Sequence, residues 1–120
     1  KKLGCNKVAF GHTLDDVVVT FLMNLFYHGE ISTMPPVLKM FSGEITLIRP
    51  LVYLTSEETT RYVEYRELPV NKLACPYYDD GKLKHREYLN RLLKDLQEYW
   101  PNIKKNIFNS LKKIRKEYLV

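Results

Sequence analysis

The hexapeptide Gly11-His12-Thr13-Leu14-Asp15-Asp16 brings an imidazole, a hydroxyl and two adjacent carboxylates together directly after a short apolar run, Lys7-Val8-Ala9-Phe10. A β-branched and aromatic run that stops at Gly-His and then opens a helix is the pattern of a strand-to-helix turn, where α/β proteins bind their ligands. Neighbouring helical residues point about 100° apart. Asp15 and Asp16 therefore divide their tasks: one can face a magnesium ion or a phosphate-activated substrate while the other completes the helix cap. His12, just before the cap, can hydrogen-bond a phosphate or a base. The plain structural alternatives are capping alone for the carboxylates and a backbone partner for the imidazole.

Two other groups of residues carry chemistry. Cys75 stands in Cys75-Pro76-Tyr77-Tyr78, within a stretch punctuated by Pro69, Asp79-Asp80 and Gly81. A loop thiol is accessible as a ligand or nucleophile, although one cysteine does not define a metal site. Cys5 reads as a small core residue, and His28 and His85 are isolated. The second group is the set of cations Lys104, Lys105, Lys112, Lys113, Arg115 and Lys116. Residues 82–120 hold eleven Lys/Arg against four Asp/Glu, while residues 1–81 hold eight against ten. A positive field confined to one end suits a polyanion, nucleic acid above all, although solvated helix faces carry similar charge. Tyr88, Tyr99, Trp100 and Tyr118 offer stacking faces, but aromatics at helical spacing more often belong to a core.

The elements that must position these groups follow from local pattern. Val8 to Phe10 reads as a short buried strand. A helix from about Leu14 to His28 starts at Thr13, with Asp16 in the fourth place of a capping box, and stops at Gly29. Val17, Val18, Val19, Phe21, Leu22, Met23, Leu25 and Phe26 make it apolar over most of its circumference, so it is buried on more than one side. Residues 30–43, with Pro35-Pro36 and Gly43, read as a loop or flap. Ile45 to Ile48 is a second strand, closed by Arg49-Pro50. A second helix starts at Thr55 with Glu58 as its box partner and runs to about Arg66, before Pro69. Strand, helix, strand, helix predicts a parallel sheet with crossovers. Beyond residue 82, Leu89, Leu92, Leu93 and Leu96 make a helix from about Lys84 to Tyr99. After Pro101, Ile103, Ile107, Phe108, Leu111, Ile114 and Tyr118 mark a last helix, completing an appended α-hairpin.

At 120 residues and 45% apolar content the chain is one domain's worth of sequence with material for a real core. The longest apolar stretch, Val17 to Tyr27, is too short for a membrane span and contains Thr20 and Asn24. No signal-like region follows the N-terminus, and two cysteines are too few for a disulfide framework, so a reducing, cytoplasmic setting is expected.

Taken in order, the segment from Leu3 to Asp16, Thr20, Asn24, the Pro35-Pro36 loop, Ile48-Arg49-Pro50-Leu51 and Cys75-Pro76-Tyr77 resemble the C-terminal portion of the PP-loop ATPases that thiolate tRNA. The resemblance is to the tRNA 2-thiocytidine and 2-thiouridine synthetase group with a cysteine-bound iron–sulfur cluster. It implies a partial Rossmann-like α/β fold of the adenine nucleotide alpha hydrolase type, residues 1–81, followed by a basic helical extension, residues 82–120. It implies ATP-dependent adenylation of a tRNA base carbonyl and its replacement by sulfur. Asp15 and Asp16 would lie at the ATP–Mg2+ site with Gly11 and His12 beside the nucleotide. Cys75 would match the cysteine that joins a Cys-x-x-Cys pair around a [4Fe–4S] cluster. The implied partners are tRNA, contacted by the six C-terminal cations, and a sulfur donor. The family's Ser-Gly-Gly-x-Asp-Ser phosphate loop and its Cys-x-x-Cys pair are absent from the sequence. The expectation is therefore a C-terminal piece, inactive alone, that associates with a missing N-terminal half or with itself. Two alternatives stand beside it: a non-catalytic RNA-binding module, and another PP-loop tRNA-modifying enzyme such as a lysidine-type synthetase, which needs no cluster.

Overall fold

Chain order is strand β1 (Lys7–Ala9), helix α1 (Leu14–His28), strand β2 (Val37–Met40), strand β3 (Ile45–Ile48) and helices α2 (Ser56–Arg66), α3 (Asp80–Tyr99) and α4 (Ile103–Ser110), in a computed structural model that describes residues 3–70 and 80–120. The sheet has the order β1-β3-β2. β1 and β3 run parallel, as the strand–helix–strand order predicts, with Val8 opposite Leu47 and Ala9 opposite Ile48. β2 departs from the local pattern. It pairs antiparallel with β3, Val37 opposite Ile48 and Met40 opposite Ile45, so the segment expected to be a loop contributes an edge strand. Pro35 and Pro36 stop just short of β2, and an edge strand tolerates a proline at its entrance. The β2–β3 connection turns through left-handed residues Phe41 (φ 51°), Ser42 (φ 56°) and Gly43 (φ 90°).

α1 begins and ends where its caps predict. The Asp16 carboxylate accepts the Thr13 N–H at 2.8 Å, and Gly29 takes the left-handed conformation (φ 62°) that lets the Glu30 N–H reach the Asn24 carbonyl at 3.0 Å. α2 has the same design, with the Glu58 N–H donating to Thr55 Oγ1 at 3.2 Å. Thr20 and Asn24 tie α1 down from outside. Asn24 Nδ2 donates to the Ser32 carbonyl, and Thr20 Oγ1 accepts from Arg86.

The core does not lie on the sheet. Val17, Val18, Val19 and Leu22 of α1 meet Leu89 and Leu93 of α3, Phe108 of α4 and Val52 from the β3–α2 connection, whereas β1 is exposed along its length. One apolar cluster thus draws on both sides of the expected boundary at residues 81 and 82. α3 begins earlier than the apolar stripe suggests, and α4 ends earlier. Its last turn tightens through Leu111 N–H to Phe108 O and Lys112 N–H to Asn109 O, and Lys116–Tyr118 form only a short 3₁₀ turn. The stripe from Ile103 to Tyr118 does not continue as one helix, and Ile114 and Tyr118 remain exposed.

Candidate functional site at the carboxyl ends of β1 and β3

Beyond Ala9 and Ile48 the two parallel strands end side by side. The Phe10 N–H still pairs with the Ile48 carbonyl at 3.0 Å, so the next residues, Phe10 and Arg49, emerge together. Carboxyl ends of parallel strands, ahead of a helix N-terminus, are where open α/β sheets take ligands. Gly11 is exposed, and a Cβ there would meet nothing within 4 Å. The Phe10 and His12 rings stack at 5.6 Å. Arg49 Nε donates to His12 Nδ1 at 3.4 Å and Arg49 Nη1 to the Pro35 carbonyl at 2.6 Å. His12, expected to bind phosphate or base, thus has a side-chain partner through Nδ1. By local pattern Arg49 only closes a strand, and nothing in that spacing announces its contact with a residue 37 positions away.

Behind this turn the two carboxylates divide as their angular separation requires. Asp16 completes the cap of α1. Asp15 is buried, and its Oδ1 accepts the Ser56 N–H, the first amide of α2, at 2.7 Å. Its Oδ2 takes the Lys104 ammonium at 2.6 Å. The Leu14 N–H donates to the Leu54 carbonyl at 2.8 Å, and the Thr13 and Ser56 hydroxyls meet at 3.1 Å. The N-termini of α1 and α2 thereby satisfy one another's free donors, and both dipoles favour the Asp15 charge. Glu57 is the second partner of Lys104, at 2.8 Å.

Lys104 corrects the expectation of six tRNA contacts. It is buried, with its ammonium held by two carboxylates, and cannot lie on an RNA backbone. Burial works against its charge, but the bonds to Asp15 and Glu57 outweigh it and hold the ammonium above its ordinary range. The other five cations are exposed at the C-terminal end. Lys112 Nζ sits over the Tyr53 and Phe108 rings at 4.7 and 4.8 Å, Arg115 lies over Tyr118 at 4.6 Å, and Lys105 is 3.9 Å from Glu58.

The donor set also bears on the implied cofactors. Cys75 lies outside the described residues, and Cys5 is exposed. Among the described residues no group of three or more His, Cys, Asp and Glu side chains is arranged to hold a metal ion. With Asp15 bonded to a cation and Asp16 to its own helix, the described residues do not form a site for magnesium or for an iron–sulfur cluster. No described helix is long and apolar enough to cross a membrane.

A parallel strand pair feeding a capped helix is the architecture of a Rossmann-like α/β fold. The whole chain aligns with tRNA-cytidine(32) 2-sulfurtransferases: 37% identity over 120 residues to the protein of Geobacter sulfurreducens, and 34% over 119 residues to that of Paracidovorax citrulli. It covers 46% and 38% of their lengths. By structure it matches a U34-tRNA thiolase from Methanococcus maripaludis, solved with its [4Fe–4S] cluster, with a TM-score of 0.72 and 23% identity over 99% of this chain and 39% of that one. That likeness establishes the fold. No protein-family model matches. The chain is thus a relative of the tRNA thiolation family, corresponding to the C-terminal part of its members and spanning less than half the length of the curated relatives it matches.

Proposed function

We propose that this chain is part of an enzyme that replaces a tRNA base oxygen with sulfur. The observation that carries the reading is its alignment, over its whole length, with tRNA-cytidine(32) 2-sulfurtransferases. Within the reading, Gly11 and His12 form the nucleotide-facing turn at the strand ends. Asp15 and Asp16 serve that site from behind, Asp16 by fixing the start of α1 and Asp15 by joining α1, α2 and α4. Lys105, Lys112, Lys113, Arg115 and Lys116 meet the tRNA backbone, supported by their exposure at one end of the molecule. Cys75 supplies a thiolate to an iron–sulfur cluster whose remaining ligands lie elsewhere. ATP, a sulfur donor and association with a further polypeptide segment or a second copy belong to the same reading. The last is supported by exposed Val8, Phe10 and Leu38 on the sheet and Phe26 on α1.

The test is mass spectrometry of nucleosides from tRNA of cells carrying or lacking the gene. Loss of a thiolated nucleoside on deletion, restored by the intact gene and not by a Cys75→Ser version, is the expected result. An unchanged thionucleoside profile on deletion overturns the reading.

A further inference from the structure

Between α1 and the residues after α4 lies a groove of about 510 Å³, within the roughly 300–1,000 Å³ of small-ligand sites. Phe21 of α1 and Ile31 beyond its end line it together with Leu111, Ile114, Tyr118 and Leu119, and none of its lining residues belongs to the strand-end turn. The apolar cluster of the fold does not use this surface: Ile31, Ile114, Tyr118 and Leu119 are each more than half exposed. The chain nevertheless folds back here through the 3₁₀ turn Lys116–Tyr118, with the Tyr118 N–H on the Arg115 carbonyl at 3.0 Å and the Leu119 N–H on that of Lys116 at 3.2 Å. That turn brings Tyr118 and Leu119 to one groove with Phe21.

The charge around the groove has one sign. Lys113 and Arg115 are its only charged lining residues. Among the described residues no carboxylate pairs with Lys113 or Lys116. The two acids adjacent in sequence lie outside the lining and are engaged: Glu117 accepts from Arg115 Nε at 3.4 Å, and Glu30 from the Ser32 hydroxyl at 2.9 Å. Arg115 covers one face of the Tyr118 ring at 4.6 Å. Tyr118 is 75% exposed, so the opposite face stays open to a second planar group. An apolar and aromatic floor bordered by cations is complementary to a ligand that is anionic and also carries a flat apolar face. An RNA duplex offers phosphates but keeps its bases stacked inside, whereas a single strand offers phosphate and an unstacked base together. Lys113, Arg115 and Lys116 supply more than one phosphate partner, which favours a strand over a free mononucleotide.

We infer that this groove receives one unpaired nucleotide of an RNA strand, its base against Tyr118 and Ile114 and its flanking phosphates on Lys113, Arg115 and Lys116. The inference rests on the reading of the chain as part of a tRNA-thiolating enzyme. It goes beyond neutralising a backbone, because it makes the C-terminal surface selective for single-stranded RNA.

The test is titration of the chain, at fixed salt, with a single-stranded oligouridylate and with an RNA duplex carrying the same number of phosphates. Tyr118→Ala should bind the single strand about five-fold more weakly or worse, the effect of losing one base stack, and should bind the duplex as the unaltered chain does. Its salt slope should not change, because no charge is removed. Tyr118→Phe should retain the affinity, since the ring and not the hydroxyl makes the contact. Ile114→Glu, which sets a carboxylate in the lining, should weaken the single strand more than the duplex. In the unaltered chain an oligouridylate containing 5-iodouridine should crosslink to Tyr118 under ultraviolet light, a result that does not depend on any variant folding. No binding of the single strand by the unaltered chain, equal affinity for it in Tyr118→Ala, an equal loss on the duplex, or crosslinks confined to other residues each overturns the inference. Self-association that Ile114→Glu abolishes, seen by sedimentation without RNA, also overturns it and gives the groove to a second copy of the chain. Binding that behaves as expected while gene deletion leaves tRNA thionucleosides unchanged would sink the functional reading and leave the groove standing. Loss of thionucleosides on deletion with undiminished binding by Tyr118→Ala would do the reverse.

Discussion

Lys104 Nζ lies 2.6 Å from Asp15 Oδ2, joining residues 89 positions apart in a pair of which each side chain is about one-tenth exposed. The acid comes from the strand-to-helix turn and the base from the cationic end of the chain, so two residues that each suggested a ligand contact neutralise one another. Asp15 also holds the first amide of α2, and Lys104 also holds Glu57. Three helices therefore share one polar joint directly behind the turn that carries Gly11 and His12.

Removing one partner from a buried pair leaves an uncompensated charge, which typically costs about 3–5 kcal/mol. Lys104→Met should lower the unfolding free energy in urea by an amount near the bottom of that range, because the Ser56 amide still serves Asp15. The double variant Asp15→Asn/Lys104→Met should recover part of the loss. A solvated, RNA-facing lysine would instead change stability by less than about 0.5 kcal/mol, so a neutral Lys104→Met would contradict the buried joint.

The same joint predicts a pH profile. The hydrogen bond from Lys104 holds the Glu57 carboxyl below its ordinary 4.5, against the opposing effect of burial. A depressed carboxylate stabilises the fold above its unfolded value, and that contribution disappears as pH falls through the lower folded value. Lys104, raised above its ordinary 10.5, contributes fully below that value and loses its contribution as pH climbs through the folded one. Melting temperature should therefore fall below about pH 4.5 and again above about pH 10.5, and Glu57→Gln should flatten the acid limb. An acid limb identical in Glu57→Gln and the unaltered chain would show that Glu57 takes no part in it.

Local signals proved legible where they are self-contained. α1 and α2 carry their own boundaries in Thr13 with Asp16, Gly29, and Thr55 with Glu58, and β3 is bounded by Gly43 and Pro50, so their positions follow from nearest neighbours alone. β2 was hidden because its pairing with β3 is a tertiary fact and Pro35-Pro36 dominates the local pattern. The early end of α4 was hidden because the apolar stripe continues through Ile114 and Tyr118, beyond the point where the helix stops. At the candidate site, the turn itself was visible in Gly11-His12. The Arg49–His12 and Asp15–Lys104 contacts were not, since contacts between distant residues leave no periodicity. Glu57 was missed for the same reason; its place beside Thr55 at a helix start was the one local sign of a role.

Leu89 and Leu93 of α3 are fully buried against α1, so the C-terminal helices are part of the structure that holds the turn. Leu89→Ala should cost about 2–5 kcal/mol, the range for deleting a buried leucine side chain. Circular dichroism and tryptophan fluorescence from Trp100 should report one shared transition shifted to lower denaturant. A helical transition that moves while amide protection in β3 stays unchanged would mean that residues 82–120 fold as a separate unit.

The exposed cations should act on RNA through salt-dependent contacts, independently of the joint. Each phosphate that is no longer neutralised reduces the slope of log K against log salt by about 0.9 for a duplex and about 0.7 for a single strand. Lys113→Gln combined with Lys116→Gln should therefore weaken tRNA binding and flatten the slope by about 1.5, with unfolding free energy within about 0.5 kcal/mol of the unaltered chain. Lys112→Gln should do less for the slope and more for stability, because its ammonium rests on the Tyr53 and Phe108 rings. Such a cation–π contact is worth about 0.5–1 kcal/mol at an exposed site. Lys104→Met should leave the slope unaltered once measured where the variant is folded. Equal slopes for the Lys113/Lys116 double variant and the unaltered chain would remove this surface from tRNA recognition, whatever the chain's ancestry.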